Sequence, residues 1–385
     1  MLKFKKKPVN LSGGILEMFT GSDALVSVSV VLLGFFVATL IIIIIGRNPG
    51  GMYQAILQVV TGFDLRRGTH NMRYVGEWLV SSVPLILCGF SMAFAARTGL
   101  FNIGAEGQFV AGLTTAQIIA LYFPQIPVFH WIIAVLGAIL AGAAWGGIVG
   151  FFKARFKVSE VVATIMMNYI ALYIHRILTL RIPGSNTFRT PDFPKTASIA
   201  SPMLASLTNG SRLNYSLYFT LAAIFIYWII MGKTRLGFSL RATGLNKDAA
   251  FYGGISVNTS ITVAMAIAGA FAGLAGASVS LGVFSFGRIL PVLEGYGFDG
   301  IAVALVGNST AVGTALAGLL FGMLKSAQPL MQSRQIPKEI TAIIMGLIVV
   351  FISLRAGVRL LIDWQMKEKA RRSTERVSAE QDGGN

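Results

Sequence analysis

Long apolar runs alternate with short polar or basic stretches along almost the whole chain. A helix needs about 20 mostly apolar residues to cross the hydrocarbon core of a bilayer. The uncharged stretch Gly107–Phe152, interrupted only by His130, is too long for one helix, and Pro124 and Pro127 split it into two spans. The pattern therefore predicts an all-α polytopic membrane protein with about ten transmembrane helices. The predicted spans are Ala24–Gly46, Trp78–Ala96, two within Gly107–Phe152, Val161–Leu180, Tyr215–Gly232, one within Ala249–Gly287, Phe298–Val306, Ala311–Leu324 and Ile340–Leu354.

Lysine and arginine are concentrated in some of the connecting stretches, and this sets the expected orientation. Cytoplasmic loops of membrane proteins carry an excess of these residues. The N-terminal segment, the stretch Lys153–Lys157 and the tail Arg355–Arg376 are all basic, which predicts that both termini are cytoplasmic. The resulting division is a basic cytoplasmic segment (1–24), a transmembrane domain (25–356) with a cytoplasmic loop (233–256) and an external loop (181–214), and a basic cytoplasmic tail (357–385).

The composition favours a membrane protein over a nucleic-acid-binding one. Of the 385 residues, 54% are hydrophobic and only 12% are charged, whereas soluble domains carry about 25% charged residues. The formal net charge of +16 resembles that of a nucleic-acid-binding protein, but the basic residues lie between apolar runs, as the positive-inside rule requires. We therefore expect a lipid bilayer, and no nucleic acid, as partner. The first apolar run is too long for the core of a signal peptide and is expected to be retained.

The sequence contains no arrangement of residues typical of an enzyme or a metal site. Cys88 is the sole cysteine and the three histidines are far apart, so neither a disulfide nor a metal site is expected. Gly232-Lys233-Thr234 resembles the end of a phosphate-binding loop, but that loop needs a glycine where Tyr227 stands. We expect no enzyme activity, no ATP hydrolysis by the chain alone and no bound cofactor.

Glycines recur at four-residue spacing in several predicted spans. Small residues at this spacing let helix backbones approach closely in lipid, so we interpret them as packing positions. They are Gly142, Gly146 and Gly150, then Gly269 and Gly273, then Gly318 and Gly322.

The most polar break within apolar sequence runs from Arg97 to Gly112. It contains Asn102, Glu106 and Gln108 with glycines between them. Such a segment is costly beside lipid unless it lines a water-filled path or packs against protein. We interpret it as the centre of a transport pathway. Helix capping and helix–helix hydrogen bonding are the alternative explanation.

A weak internal similarity links this break to a second one. Gly99–Ala105 and Gly295–Ile301 each place a polar residue among glycines just before an apolar span. In the predicted topology they approach from opposite sides of the membrane. Paired broken segments of this kind indicate an inverted repeat with the pathway between its halves, so an inverted repeat is a possible feature of this fold.

Few carboxylates are available for coupling transport to an ion gradient. Such carriers use intramembrane carboxylates or unwound backbone at an ion site. The candidates here are Glu106, Glu160 and Asp299, and each lies near the end of a predicted span. Ion-coupled secondary transport therefore stays an alternative, together with a membrane scaffold that transports nothing.

The cytoplasmic loop Gly237–Ile255 carries a second specific signal. It predicts a short helix around Asn246–Tyr252, begun by Asn246 as a cap and ended by Gly253 and Gly254. Such a helix suits docking onto a soluble partner. The alternative is an ordinary basic loop that is helical in places.

Four stretches in this order resemble the permease subunits of bacterial ATP-binding-cassette importers for simple sugars, nucleosides and branched-chain amino acids. The resemblance covers most of Trp78–Leu354, and the motif from Phe101 to Gln108 is most similar to the nucleoside branch. The four stretches are Gly99–Phe109, Glu160–Ala171, Arg241–Ala250 and Gly295–Leu305.

The resemblance implies a nucleoside importer of the bacterial cytoplasmic membrane, in which this chain forms half of the pore. The implied partners are a second permease that is a different chain, two cytoplasmic ATP-binding subunits that carry ATP and Mg, and an external substrate-binding lipoprotein received by the surface around Arg181–Asn214. The alternatives are a simple-sugar permease of the same family and an ion-coupled secondary nucleoside transporter.

Two sets of residues are assigned roles on this basis. Amides can hydrogen-bond ribose and base edges, and aromatic faces can slide past a base; the expected pathway residues are Phe101, Asn102, Glu106, Gln108, Asn168, Phe284 and Asp299. The resemblance makes the cytoplasmic loop the element that couples to the ATPase; its expected contact residues are Gly237, Arg241, Gly244, Asn246, Ala249 and Ala250.

Overall fold

The computed structural model describes residues 23–354 and Trp364, and these residues are mostly helical. The predicted basic segments at the two chain ends lie almost entirely outside the described residues. The helices are α1 (Asp23–Ile44), α2 (Gly50–Thr61), α3 (Arg73–Arg97), α4 (Ala105–Tyr122), α5 (Phe129–Phe156), α6 (Glu160–Leu180), α7 (Pro202–Leu207), α8 (Ser216–Lys233), α9 (Arg235–Leu245), α10 (Lys247–Tyr252), α11 (Val257–Val283), α12 (Tyr296–Val306), α13 (Ala311–Gln332) and α14 (Glu339–Leu354). A 3-10 turn covers Lys195–Ala197, and the strands are β1 (Phe63–Asp64), β2 (Thr69–His70), β3 (Arg189–Asp192) and β4 (Phe286–Arg288).

The chain divides into two compact units. One unit contains the residues up to 41 and from 343 onward, and the other contains residues 42–342. In the first unit, Gly34 of α1 packs so closely on α14 that an added Cβ would lie 2.8 Å from Cγ1 of Ile348. The second unit contains all the candidate functional residues.

Six helices in the described part of the chain are long and apolar enough to cross a membrane: α1, α3, α5, α6, α8 and α11. Helices α4, α12, α13 and α14 coincide with the four remaining predicted spans, and their crossing stays a prediction, as does the orientation of the termini. The predicted break at Pro124 and Pro127 is confirmed, because α4 ends at Tyr122 and α5 begins at Phe129.

One helix continues past the end of its predicted span. We expected a span to end at Leu324, before Lys325, but α13 continues to Gln332. The lysine is tolerated inside the helix because Asp299 of α12 pairs with it. Helix α11 ends at Val283, within the predicted limits Ala249–Gly287.

Helix α11 lies at the centre of the second unit and packs against α3, α4 and α5. An added Cβ at Gly269 would meet the backbone of Gly142, with its carbonyl carbon at 2.8 Å. An added Cβ at Gly273 would meet the backbone of Ala138 and Gly142. The glycines therefore permit the close helix packing that their spacing predicted.

The substitution Gly269→Val is expected to destabilise the helix bundle. Overpacking a tight core costs about 1–3 kcal/mol, and here the new side chain would strike backbone atoms that cannot rotate away. The measurement is the thermal unfolding temperature of the purified protein in detergent. Gly147→Ala on α5 is the matched control, because its Cβ would make only a 3.5 Å contact with Ala266. An equal effect of both substitutions would contradict the packing argument.

The loop 181–214, which we expect to be external, is tied to two other parts of the chain. Strand β3 in this loop pairs antiparallel with β4, with Arg189 opposite Arg288 and Asp192 opposite Phe286. Arg212 makes a bidentate ion pair with Glu77 at the start of α3, with Nη2 2.7 Å from Oε2. That hydrogen-bonded carboxylate raises the pKa of Arg212. The loop is thus fastened both to the α11–α12 connection and to α3.

Candidate functional site

The polar break between α3 and α4 is held together by a buried hydrogen-bond network. The Asn102 side-chain amide donates to Ser91 Oγ at 3.0 Å and to Gln108 Oε1 at 2.9 Å. Gln108 in turn donates to Asn102 Oδ1 at 3.1 Å. All three side chains are fully buried. Because each polar group has a partner, the break can lie inside the protein without an unsatisfied polar atom.

Glu106 joins the two broken segments of the chain. Its carboxylate accepts hydrogen bonds from the backbone N–H of Gly295 at 2.7 Å and of Gly297 at 2.6 Å. These groups belong to the N-terminus of α12, where N–H groups lack partners within the helix and the helix dipole favours a negative charge. The two segments that showed the internal similarity are therefore in direct contact.

Asn168 of α6 also makes two hydrogen bonds to the polar break. Its Oδ1 accepts from the backbone N–H of Gly107 at 2.7 Å, and its Nδ2 donates to the carbonyl of Ile103 at 3.1 Å. One amide side chain thereby satisfies two backbone groups at the start of α4. The segment from Ile103 to Gly107 is consequently fixed between α3, α6 and α12.

The expected pathway residues fall into two groups. Asn102, Glu106, Gln108 and Asn168 are buried by this chain and bonded to its own groups. Phe101, Phe284 and Asp299 retain exposed surface. The first group shows the capping and helix–helix bonding that the sequence allowed as an alternative, and the second group is open to a ligand or a neighbouring subunit.

Two residues of the site were not predicted. Ser91 completes the buried network, but a serine in an apolar span is common and gives no signal in the sequence. Lys325 pairs with Asp299 at 2.5 Å, and an isolated lysine inside the apolar run of α13 was the signal that could have identified it.

The loop 233–256, which we expect to be cytoplasmic, forms the two short helices α9 and α10. Thr234 caps α9 by accepting from the Gly237 N–H at 3.0 Å. Asn246 ends α9 and caps α10, accepting from the N–H groups of Asp248 and Ala249 at 3.0 Å each. The prediction of a short helix begun by Asn246 and ended by Gly253 is confirmed. The two short capped helices contact each other and form a compact unit.

Helix α9 contacts the start of the polar break. An added Cβ at Gly244 would meet the carbonyl oxygen of Arg97 and would lie 2.9 Å from the backbone nitrogen of Gly99. Arg241 lies one turn earlier, exposed, with Nε 3.3 Å from the Gly237 carbonyl. Ala250 of α10 is buried. The backbone of α9 and the backbone of the break therefore touch without any intervening side chain.

Arg97 also connects α3 to the turn between α12 and α13. It donates to the carbonyl oxygens of Ser309 at 3.0 Å and Asn308 at 3.3 Å. The Tyr227 hydroxyl donates to the same Ser309 oxygen at 2.7 Å. Arg97, Tyr227 and Ser309, with Arg241 of α9, line a cavity of about 190 Å³.

Comparison with known proteins gives this arrangement a context. The family described as branched-chain amino acid transport system / permease component matches residues 74–353 of this chain. The match covers well over half of the 385 residues. The chain belongs to this permease family. With six helices capable of crossing a bilayer among its described residues, the permease is a multi-pass membrane protein.

Individual relatives align with most of the permease. The guanosine ABC transporter permease protein NupP of Bacillus subtilis is 39% identical over 349 residues, which cover 90% of this chain and 98% of the relative. The nucleoside ABC transporter permease protein NupB of Lactococcus lactis is 35% identical over 364 residues, covering 91% of this chain and 96% of the relative. The glucose ABC transporter permease protein TsgB13 of Haloferax volcanii is 32% identical and covers 72% of this chain.

Proposed function

We propose that this permease forms half of the translocation path of a bacterial ABC importer for nucleosides. The observation that carries this assignment is the alignment of about nine-tenths of the chain with relatives named as guanosine and nucleoside permeases. The expected pathway residues that retain exposed surface for a passing solute are Phe101, Phe284 and Asp299. The permease lies in the cytoplasmic membrane in this proposal.

The free energy for transport comes from the hydrolysis of ATP, which binds together with Mg on partner subunits. Helices α9 and α10 suit docking, because Leu245 and Tyr252 are each 89% exposed and Phe251 is 67% exposed. Large apolar side chains at this exposure, next to the basic Arg241 and Lys247, are typical of an interface with another protein. The complete importer then contains a second permease, two ATP-binding subunits and an external lipoprotein that captures the cargo.

The contacts of α9 with the polar break, and of the break with α12, suggest how the ATPase acts on the path. Movement of α9 is transmitted to Gly99 through the contact with Gly244. The break from Arg97 to Glu106 then carries the displacement to α12, because Glu106 holds the α12 N-terminus. In this mechanism the buried Asn102, Gln108 and Asn168 keep the break rigid, so that it moves as one piece.

A simple-sugar cargo is the second candidate function. It is favoured by the relative named as a glucose permease, although that relative covers less of the chain. The ring hydroxyls of glucose and the ribose of a nucleoside present similar hydrogen-bonding groups, so the polar side chains alone do not separate the two cargoes.

Uptake in cells separates the two cargoes. A strain lacking this permease is complemented with the intact chain, and uptake of radiolabelled guanosine and of radiolabelled glucose is measured in separate assays, each with the other solute unlabelled and in excess. We expect complementation to restore guanosine uptake and glucose to leave it unchanged. The control is the same strain with an inactive partner ATPase, which should take up no guanosine. Restored glucose uptake without guanosine uptake would assign the permease to sugars.

A further inference from the structure

A charged pair lies within the helical layer next to the polar break. Asp299 of α12 and Lys325 of α13 form an ion pair with 2.5 Å between Oδ2 and Nζ. Lys325 lies fourteen residues after Ala311, about 21 Å along the helix at 1.5 Å per residue. The turn before Ala311 is bonded to Arg97, the end of the membrane-spanning α3. In the predicted topology, in which α13 crosses the bilayer, the pair therefore lies inside the roughly 30 Å hydrocarbon layer.

The pair is not sealed inside the protein. The side chain of Asp299 is 26% exposed and that of Lys325 is 25% exposed. Charged side chains at this depth face a bundle interior or a water-filled cavity, because exposure to lipid is too costly. The exposed side of the pair thus faces either the water-filled path or the second permease.

The pair also has hydrogen-bonding capacity to spare. A carboxylate offers about four acceptor sites and an ammonium group offers three donors, and their mutual contact uses only part of these. The Lys325 ammonium group lies over the Tyr296 ring, 4.7 Å from its centroid. Phe298, the residue before Asp299, is 41% exposed. Acceptors, donors and an aromatic face are thus presented side by side.

A second cation is placed in the same way on the preceding loop. Arg288 pairs with Glu294 and lies over the Phe284 ring at 4.7 Å from its centroid. The connection from α11 to α12 thus carries one ion pair and the helices α12 and α13 share a second, each with its cation over an aromatic ring. Phe284 was an expected pathway residue. It lies beside Arg288 at the start of this connection.

We propose that Asp299 and Lys325 form a cargo-contact site that hydrogen-bonds the ribose hydroxyls of the passing nucleoside. This proposal rests on the nucleoside function proposed above. The carboxylate accepts from the vicinal hydroxyls while the ammonium group donates to their oxygens, and the base packs on Phe298. Because the ion pair competes for the same groups, binding stays weak and the cargo is released.

Cysteine labelling tests whether the site faces the path. The native Cys88 is buried, so the background is low. In the complete importer, Lys325→Cys should react with a membrane-impermeant thiol reagent, because the exposed quarter of the Lys325 side chain faces the water-filled path. Leu316→Cys is the matched control: it is 60% exposed but lies nine residues away, on the opposite face of α13, and should stay unlabelled. Absence of labelling at 325, or equal labelling at 316, overturns the proposal.

A charge exchange separates cargo contact from simple structural pairing. Asp299→Asn should lower maximal guanosine uptake about tenfold, the effect of one charge-assisted hydrogen bond. The double variant Asp299→Lys, Lys325→Asp retains an ion pair with its two charges exchanged. It should assemble normally, yet its guanosine uptake should be as slow as that of Asp299→Asn. Full recovery of uptake in the double variant overturns the proposal. If Asp299→Asn slows the uptake of glucose and leaves that of guanosine unchanged, the cargo assignment fails while the site stands.

Discussion

The substitution Glu106→Ala is expected to reduce transport about a hundredfold. Without the carboxylate, the N–H groups of Gly295 and Gly297 lose their acceptor inside the protein. Hydrogen bonds to a charged group contribute about 1.5–3 kcal/mol each, so removing both at once disconnects the α12 N-terminus from the break. Uptake by the reconstituted importer and thermal unfolding of the purified complex are the two measurements.

Glu160→Gln provides the matched control for this substitution. Glu160 also stands in the first turn of a helix, but its partner is Lys153 at 2.7 Å and its side chain is 18% exposed. Surface-accessible ion pairs contribute about 0–1 kcal/mol, so the control should retain near-normal uptake. Wild-type transport by Glu106→Ala would show that the contact between the two broken segments is dispensable.

The substitution Gly244→Val is expected to separate ATP hydrolysis from transport. The added side chain would strike the carbonyl of Arg97 and the backbone nitrogen of Gly99, so α9 would be displaced from the break. We expect uptake to fall at least tenfold, the change that corresponds to about 1.4 kcal/mol, while ATP hydrolysis by the assembled complex continues. Both rates are measured on the same proteoliposomes.

Gly232→Ala is the control for a glycine near the same face of the protein. No atom lies within 4 Å of a Cβ added at Gly232, so both rates should remain normal. In Gly244→Val, uptake and ATP hydrolysis could fall equally while the ATPase is lost from the purified complex. That result would show that Gly244 is needed to bind the ATPase and not to couple it to transport. Unchanged rates in that variant would place the coupling contact elsewhere.

Features determined by neighbouring residues were predictable from the sequence. The break between α4 and α5 depends on two prolines, and the start of α10 depends on the side chain of Asn246 bonding N–H groups two and three residues later. Such local interactions need no knowledge of the fold. The similarity between Gly99–Ala105 and Gly295–Ile301 also pointed to a pair of related segments, which the structure places in contact through Glu106.

Features that depend on distant partners were not predictable. Lys325 was expected to mark the end of a span, because a charge in the membrane is costly. That cost is offset by Asp299, which lies on another helix. The pairing of β3 with β4 joins strands separated by a large part of the chain, and neither strand is long enough to give a periodic signal. The burial of Asn102 likewise depends on Ser91 and Gln108 lying within reach.

ATP-dependent guanosine uptake by the complete importer tests the central claim most directly. The permease is reconstituted into proteoliposomes with its second permease, ATPase and lipoprotein, and labelled guanosine is added on the lipoprotein side. We predict uptake that requires ATP and Mg on the opposite side and that an ion gradient does not replace. Uptake by this chain alone, driven by a proton or sodium gradient without ATP, would contradict the account.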